Sequence, residues 1–399
     1  MNKLTLKDLN IFEKKVLMRV DFNVPIENGQ VTDDTRIVAA LPSIKYVLDH
    51  GGSLILMSHC GRPKGEKNME YSLKPAVDRL SHLVDVPVSL APDVIGDDVV
   101  DLVNNLKVGE ILVLENLRFY KEEEGKGCSL EDQDTFSKQL ASYGDVYVSD
   151  AFGTAHRAHA SMVGVTKYMD QCAAGFLLEK EIEYLGKVLA SPEKPFVAII
   201  GGAKISGKID VVINLMDKCD TILIGGGMAY TFFVSQGKKI GDSLLEKDKV
   251  ELAASILKQA KEKGVNLLLP IDNVVADEFS ETANTKIIEG DVDEGWMSLD
   301  IGPKTIELYS EQISTAKTIV WNGPMGCFEM APFANGTNAI CTAVANANCT
   351  SIIGGGDSVA AVKKSGNADK MSHVSTGGGA SLEFMEGKDL PGITALTDY

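Results

Sequence analysis

Short apolar, β-branched runs recur along the whole chain, separated by helix-length segments, and this repetition constrains the fold more than any other feature. In the first half the runs are "KVLMRVDF" (15–22), "SLILMSH" (53–59), "VPVSL" (86–90), "EILVLEN" (110–116) and "DVYVSDAF" (145–152). In the second half they are "FVAIIGG" (196–202), "TILIGGG" (221–227), "VNLLLP" (265–270), "TIVWNGP" (318–324) and "TSIIGGGD" (350–357). Strands with one solvated face alternate apolar and polar residues, whereas these runs are apolar on both faces. They read as parallel strands covered by helices on each side. The fold class is therefore α/β, with two open, mostly parallel, doubly wound sheets joined by a helix and hinge.

The two strand series meet at "AAGFLLEKEIEYLGKVLA" (173–190), which has helical periodicity, followed by the break "SPEKP" (191–195). The predicted organisation is an N-terminal domain over 1–174, an interdomain helix over 175–190 and a C-terminal domain over 191–391. A chain of 399 residues is too long for one ordinary core, which agrees with two domains.

Ligands of open α/β sheets bind beyond the carboxyl ends of the strands. In the first half those ends carry Asp21 and Asn23, then His59 and Arg62, then Asn116 and Arg118, then Asp150 with His156, Arg157 and His159. Arg36 follows "TDD" and is expected early in a helix. All six arginines lie within the first 157 residues. Guanidinium groups suit bidentate grip on carboxylate and phosphate. Four of them, with up to three histidines, predict a site for a small, highly anionic molecule. Singly, each residue also has a structural reading, such as a loop cap or a surface ion pair. Arg79 lies in the helical stretch "KPAVDRLSHL" and reads as a surface arginine. Arg19 lies inside a strand run and reads as a structural ion pair.

The second half carries glycines at its strand ends instead: "IIGGAK", "LIGGGMA", "WNGPMGCFE", "IIGGGDSVA" and, before a helical stretch, "HVSTGGGAS". Glycine lets backbone N–H groups approach a phosphate, and a following helix N-terminus adds a favourable dipole. Together these loops predict a nucleotide. The fingerprint G-x-G-x-x-G is absent from the sequence, which lowers a dinucleotide reading. "GGAKISGKID" (201–210) fits seven places of a P-loop, but Ile209 stands where Ser or Thr belongs. Lys204 and Lys208 are four apart and are expected to share one helical face, addressing phosphates. Asp357 is the expected magnesium ligand, and Glu329 a partner for a ribose hydroxyl.

The net charge of −17 makes nucleic acid or an anionic membrane an unsuitable partner. Seven scattered cysteines without C-x-x-C spacing suggest reduced thiols, a cytoplasmic setting and no zinc site. Neither a signal peptide nor a membrane-spanning run is evident.

Taken together, "RVDFNVP" (19–25), "DDTRI" (33–37), "SHCGRP" (58–63), "LENLRF" (114–119), "DAFGTAHRAHASMVG" (150–164), "GGAKISGK" (201–208), "IGGGMA" (224–229), "VWNGPMGCFE" (320–329), "IIGGGDSVA" (352–360) and "HVSTGGGAS" (373–381) resemble the phosphoglycerate kinase family over the whole chain. The resemblance implies reversible phosphoryl transfer: 1,3-bisphosphoglycerate and Mg-ADP give 3-phosphoglycerate and Mg-ATP. It implies a phosphoglycerate site of Asp21, Asn23, Arg36, His59, Arg62, Arg118 and Arg157. It implies a nucleotide site of Gly202, Ala203, Lys208, Gly226, Asn322, Pro324, Glu329, Gly355, Gly356, Asp357 and Ser358, with Mg2+ on Asp357. Catalysis would rest on Arg36, Lys204, Lys208, Gly378 and Gly379. It further implies a monomer, hinge closure, and a tail (392–399) that packs on the first domain.

Three positions depart from the family's commoner residues: Cys60 for Leu, Ser298 for Gly near the expected adenine pocket, and Ser358 for Thr. Cys60 beside His59 suggests an oxidant-sensitive site. Two other readings remain, an NAD-dependent dehydrogenase and a hinged anion-binding protein without catalysis.

Overall fold

The structure, a computed structural model, describes residues 2–399. The chain divides into two compact units: Met1–Glu183 with Asp389–Tyr399, and Tyr184–Lys388.

The first unit is built on a six-stranded parallel sheet in the spatial order Val88–Leu90, Ile111–Val113, Ser53–Met57, Lys15–Arg19, Val146–Ser149, Cys172–Ala174. Val16, Leu17, Met18, Leu54, Ile55 and Leu56 are fully buried although consecutive residues face opposite sides. Helices on both faces explain this, and explain the unbroken apolar runs in the sequence. The strand order reverses direction at Lys15–Arg19, so loops leaving its carboxyl end open a crevice. The short strand Cys172–Ala174 replaces the start of the helix expected from residue 173. That helix runs over Phe176–Ala190 and contains the division between the units.

Its first turn is tied to the first unit by buried Asp150, whose Oδ1 accepts from Leu177 N at 2.9 Å and Leu178 N at 3.2 Å. The observed division, between Glu183 and Tyr184, falls inside the helix expected to join the two domains over 175–190. The stretch 389–399 completes the first unit: Leu4 N donates to Thr397 O (2.9 Å) and Gly392 N to Ala155 O (2.8 Å).

The second unit repeats the plan, with a parallel sheet ordered Asn266–Leu268, Thr221–Ile224, Phe196–Ile200, Thr318–Asn322, Thr350–Gly354, His373–Val374. Its order reverses between Phe196–Ile200 and Thr318–Asn322, which places the loops after residues 200 and 322 side by side. An antiparallel sheet, Thr285–Glu289, Asp272–Ala276 and Met297–Ile301, has no counterpart in the sequence reading.

Candidate active site

In the first unit, a guanidinium cluster forms beyond the strand ends. Arg36 is the second residue of helix Thr35–Asp49. Its Nη1 donates to Asn23 O at 2.8 Å and lies 3.4 Å from Asp21 Oδ2. Asn23 Oδ1 accepts from Gly61 N at 2.9 Å, and Gly61 O accepts from Arg118 Nη1 at 2.9 Å. Gly61 is thus a hub between two loops. It sits at φ +61°, and a Cβ there would clash with the Tyr71 ring. Arg62 and Arg157 are exposed, and their charges reach Arg118 and His159 respectively.

His59 is 3% exposed, and its Nδ1 lies 3.1 Å from Arg19 Nη2. Arginine only donates, so Nδ1 accepts and Nε2 carries the proton. Burial, reinforced by Arg19 and Arg118, pushes His59 well below the usual histidine range, so the ring is neutral at pH 7. Burial and the same arginines push His159 down to about 3. The nearby carboxylates of Glu123 and Glu124, at 3.7 and 3.9 Å, therefore face a neutral ring.

Arg19 is fully buried and structural, but the direct ion pair expected from the sequence is replaced by a relay. Arg19 Nε donates to Ser161 Oγ (3.0 Å), and Ser161 Oγ donates to buried Glu123 Oε1 (2.6 Å). The serine lets two buried charges compensate each other without touching.

Other expectations change. Asp150 caps helix Phe176–Ala190 and is not part of the arginine cluster. Asn116 is buried and braces the loop carrying Cys60, accepting from Cys60 N (3.2 Å) and donating to Cys60 O (2.7 Å). Arg79 lies at the surface, as expected, and pairs there with Asp34, 2.7 Å from its Oδ2. The Cys60 thiol is buried and pushed up, first by desolvation and then by Glu115 and Asp21. That disfavours the thiolate and argues against the oxidant sensitivity expected from the neighbouring His59.

In the second unit, three glycine loops interlock at the strand ends. Gly202 N donates to Pro324 O (3.1 Å), Gly226 N to Met325 O (2.8 Å) and Met228 N to Gly202 O (3.0 Å). A Cβ at Gly226 would stand 2.6 Å from Gly202 O, and one at Gly201 would strike Pro324 O. The glycines are required because backbone packs on backbone. They floor a cleft of ≈ 500 Å³. Gly202, Ala203, Gly226, Pro324, Glu329 and Asp357 all line it. Leu244, Phe279, Met297 and Leu299 form its apolar wall. The sequence reading named none of these four. Phe279, 66% exposed within the acidic stretch "ADEFSE", was the available signal.

Lys204 and Lys208 do not share a helical face. Lys204 precedes a 3₁₀ turn, Ile205–Gly207, and the α-helix begins only at Ile209. A Cβ on Gly207 would meet nothing within 4 Å, so this glycine is not needed and the P-loop match is accidental. Lys208 is half-buried and donates to Asn322 Oδ1, with Asp357 and Glu386 near enough to favour its charge. Desolvation outweighs them and lowers its pKa. Asn322 is fully buried and is not among the residues lining the cleft; its side chain positions Lys208. Ser358 is buried as well, and its Oγ accepts from Gly323 N at 2.5 Å, so its hydroxyl is occupied between loops. Gly355 (φ +86°) and Gly356 open helix Gly356–Lys364, and Gly378 (φ +47°) precedes helix Gly379–Met385.

The sequence profile of the phosphoglycerate kinase family matches residues 6–388. The chain belongs to the phosphoglycerate kinase family. It is 57% identical over 402 residues to the phosphoglycerate kinase of Chloroherpeton thalassium, with both chains fully covered. It is 56% identical over 409 residues to that of Acidobacterium capsulatum, again over the full length of both. Among solved structures, the phosphoglycerate kinase of Coxiella burnetii superposes with a TM-score of 0.89 at 42% identity, covering 98% of each chain. That of Pyrococcus horikoshii OT3 superposes with 0.84 at 33% identity, also over 98% of each chain. Membership of the phosphoglycerate kinase family makes the chain a glycolytic phosphotransferase with a nucleotide substrate, and sets aside the dehydrogenase and non-catalytic readings. Among the described residues no helix is long and apolar enough to cross a membrane.

Proposed function

We propose that the family's reaction is divided between the two units: the arginine cluster of the first takes the phosphoglycerate, and the glycine-floored cleft of the second takes the nucleotide. The observation that carries this reading is the cleft's polarity. One part is apolar, suited to a base, and another presents glycine amides and Asp357 beside Lys208. The reaction is reversible phosphoryl transfer between 1,3-bisphosphoglycerate with ADP and 3-phosphoglycerate with ATP.

Arg36, Arg62, Arg118 and Arg157 neutralise the phosphoglycerate, with His59 Nε2–H as an additional donor. Asp21 and Asn23 orient Arg36. Transfer of this kind passes through a loose, metaphosphate-like state, so positioning and cations do most of the catalysis. Arg36 holds the acyl-phosphate end, Lys204 follows the migrating group, and Lys208, held by Asn322, grips the nucleotide phosphates. The amides of Gly378 and Gly379 receive the equatorial oxygens, and those of Gly355 and Gly356 the nucleotide. Glu329 takes a ribose hydroxyl.

Magnesium binds through one or two carboxylates, phosphate oxygens and water. Asp357 is an exposed carboxylate on the cleft, and no group of three potential ligands occurs among the described residues. This donor set fits an ion held mainly by the nucleotide's own oxygens. When bound, the ion neutralises charge on those phosphates. Because the two substrates reside on different units, transfer also requires hinge closure, which excludes water from the acyl phosphate. We assign the enzyme to the cytoplasm as a monomer.

The test is direct assay of phosphoryl transfer from ATP to 3-phosphoglycerate. Arg36→Ala and Lys204→Ala should each lower kcat by a hundredfold or more, about 3 kcal/mol, with smaller changes in KM. Near-normal turnover in both variants would overturn the assignment.

A further inference from the structure

The turn that follows Lys204 has little of its own to hold it. Lys204 is exposed and stands in extended backbone just before the 3₁₀ turn Ile205–Gly207, which is closed by Lys208 N donating to Ile205 O at 2.8 Å. Hydrogen-bond geometry in such a turn is poorer than in an α-helix, so it contributes little rigidity by itself. Gly207 adds no packing, since a Cβ there would meet nothing within 4 Å. Fully buried Ile205 pins one side of the turn. The other side is held by Glu246, 40 residues after Ser206 in the chain.

Glu246 grips the turn with both oxygens. Its Oε1 accepts from Ser206 Oγ at 2.5 Å and its Oε2 from Ser206 N at 3.1 Å. The first amides of a helical turn have no partner within it, so this carboxylate acts as a cap supplied by another segment. Desolvation raises the Glu246 carboxyl, but hydrogen bonds from Ser206 and Ile205 and the charge of Lys204 outweigh it and hold it below the usual carboxylate range. Glu246 is itself anchored. Its N donates to the Oγ1 of buried Thr231 at 3.3 Å, and the adjacent Leu245 packs against Tyr230, Phe233 and Ile240. The same segment supplies Leu244 to the apolar wall of the cleft, and Ser243, whose Oγ accepts from Ser298 N at 2.9 Å. One stretch of chain therefore walls the nucleotide cleft and straps the turn next to Lys204.

We propose that Glu246 is a positioning residue that, through Ser206, fixes the backbone from which Lys204 reaches the reacting phosphoryl group. This rests on Lys204 following the migrating group. A lysine has a long, flexible stem, so its reach is set by where its backbone stands. A misplacement of about 1 Å can cost up to a hundredfold in rate. Glu246 is not among the residues lining the cleft, so its effect falls on the placement of Lys204 and not on nucleotide affinity.

The experiment is a double-mutant cycle between Glu246 and Lys204, read by steady-state kinetics with ATP and 3-phosphoglycerate. Glu246→Ala should lower kcat about tenfold and leave the KM of each substrate within about twofold. In the Lys204→Ala background the same substitution should change kcat by less than about twofold, because the lysine it positions is gone. Ser206→Ala keeps the bond from Ser206 N and should fall between, at about threefold. Exposed pairs add little stability, so the melting midpoints of the variants should stay close to that of the parent. Were Glu246→Ala to fold poorly, Ser206→Ala carries the same cycle. An equal loss of kcat in both backgrounds, an unchanged kcat in Glu246→Ala and Ser206→Ala, or a raised KM for ATP at constant kcat would overturn the proposal. Near-normal turnover in Lys204→Ala would instead overturn the role assigned to Lys204.

Discussion

Replacing Asp150 with asparagine separates the structural role of this residue from the substrate role that its strand-end position suggests. Burial pushes the Asp150 carboxyl from its ordinary 3.8 up to about 7, against the lowering effect of its hydrogen bonds. The folded state therefore holds this proton more tightly than the unfolded chain. The group's stabilising contribution is complete below about pH 4 and is lost as pH rises through about 7, at ~1.4 kcal/mol per pH unit. A difference of roughly three pKa units sets a ceiling of about 4 kcal/mol.

Asparagine keeps an oxygen acceptor for Leu177 N and Leu178 N but never ionises. Its amide would occupy the place of Oδ2, which has no hydrogen-bond partner, at a cost of about 1–3 kcal/mol that is independent of pH. The diagnostic is thus the trend. The stability of Asp150→Asn relative to the parent should climb between pH 4 and 8 by ~2–4 kcal/mol, or roughly 5–15 °C in the melting of a unit this size. Thermal melts of both proteins across that range, monitored by calorimetry, measure it. A difference that stays flat with pH would refute the burial argument. Collapse of turnover with 3-phosphoglycerate in a stable Asp150→Asn would return the residue to the substrate site.

Other perturbations probe the second unit. Gly226→Ala places a Cβ 2.6 Å from Gly202 O at φ +70°, so the cleft floor must shift. The KM for ADP should rise about tenfold or more while that for 3-phosphoglycerate is unmoved, as steady-state kinetics would show. Asn322→Ala releases Lys208 Nζ and should lower kcat about tenfold or more, whereas Asn322→Asp should raise the Lys208 pKa and carry the alkaline limb of the pH–rate profile upward. An unshifted limb would show that Lys208 does not titrate in turnover.

The ten main strands were legible because helices cover both sheet faces, so burial imposes unbroken apolar runs. The same logic hid Thr285–Glu289, whose residues alternate between exposed and half-buried. Cys172–Ala174 and His373–Val374 were missed because they are too short, and in the first case too poor in β-branched residues, to register. At the site, charged groups announced themselves by residue type, and glycine loops by composition. The apolar wall did not, since Met297 and Leu299 read as ordinary core. Local geometry was also hidden: four-residue spacing placed Lys204 and Lys208 on one face only if the backbone is α-helical, and a 3₁₀ turn intervenes. Arg19 was recognisable as structural from its place in a strand, but its relay through Ser161 to Glu123 links distant segments that no spacing rule connects.

The tie between Leu4 and Thr397, with the ion pair of Lys3 and Asp398 at 2.7 Å, has a consequence for how the chain assembles. The first unit is discontinuous, and the whole second unit is inserted before its last piece. During synthesis the first unit must wait, lacking the strip that brings buried Leu390, Ile393 and Leu396, until the second has been made. The second unit, encoded without interruption, is free to fold first. Production thus runs opposite to reading order: the part translated earliest is the part finished last, and a protein truncated after Lys388 would leave it permanently unsealed.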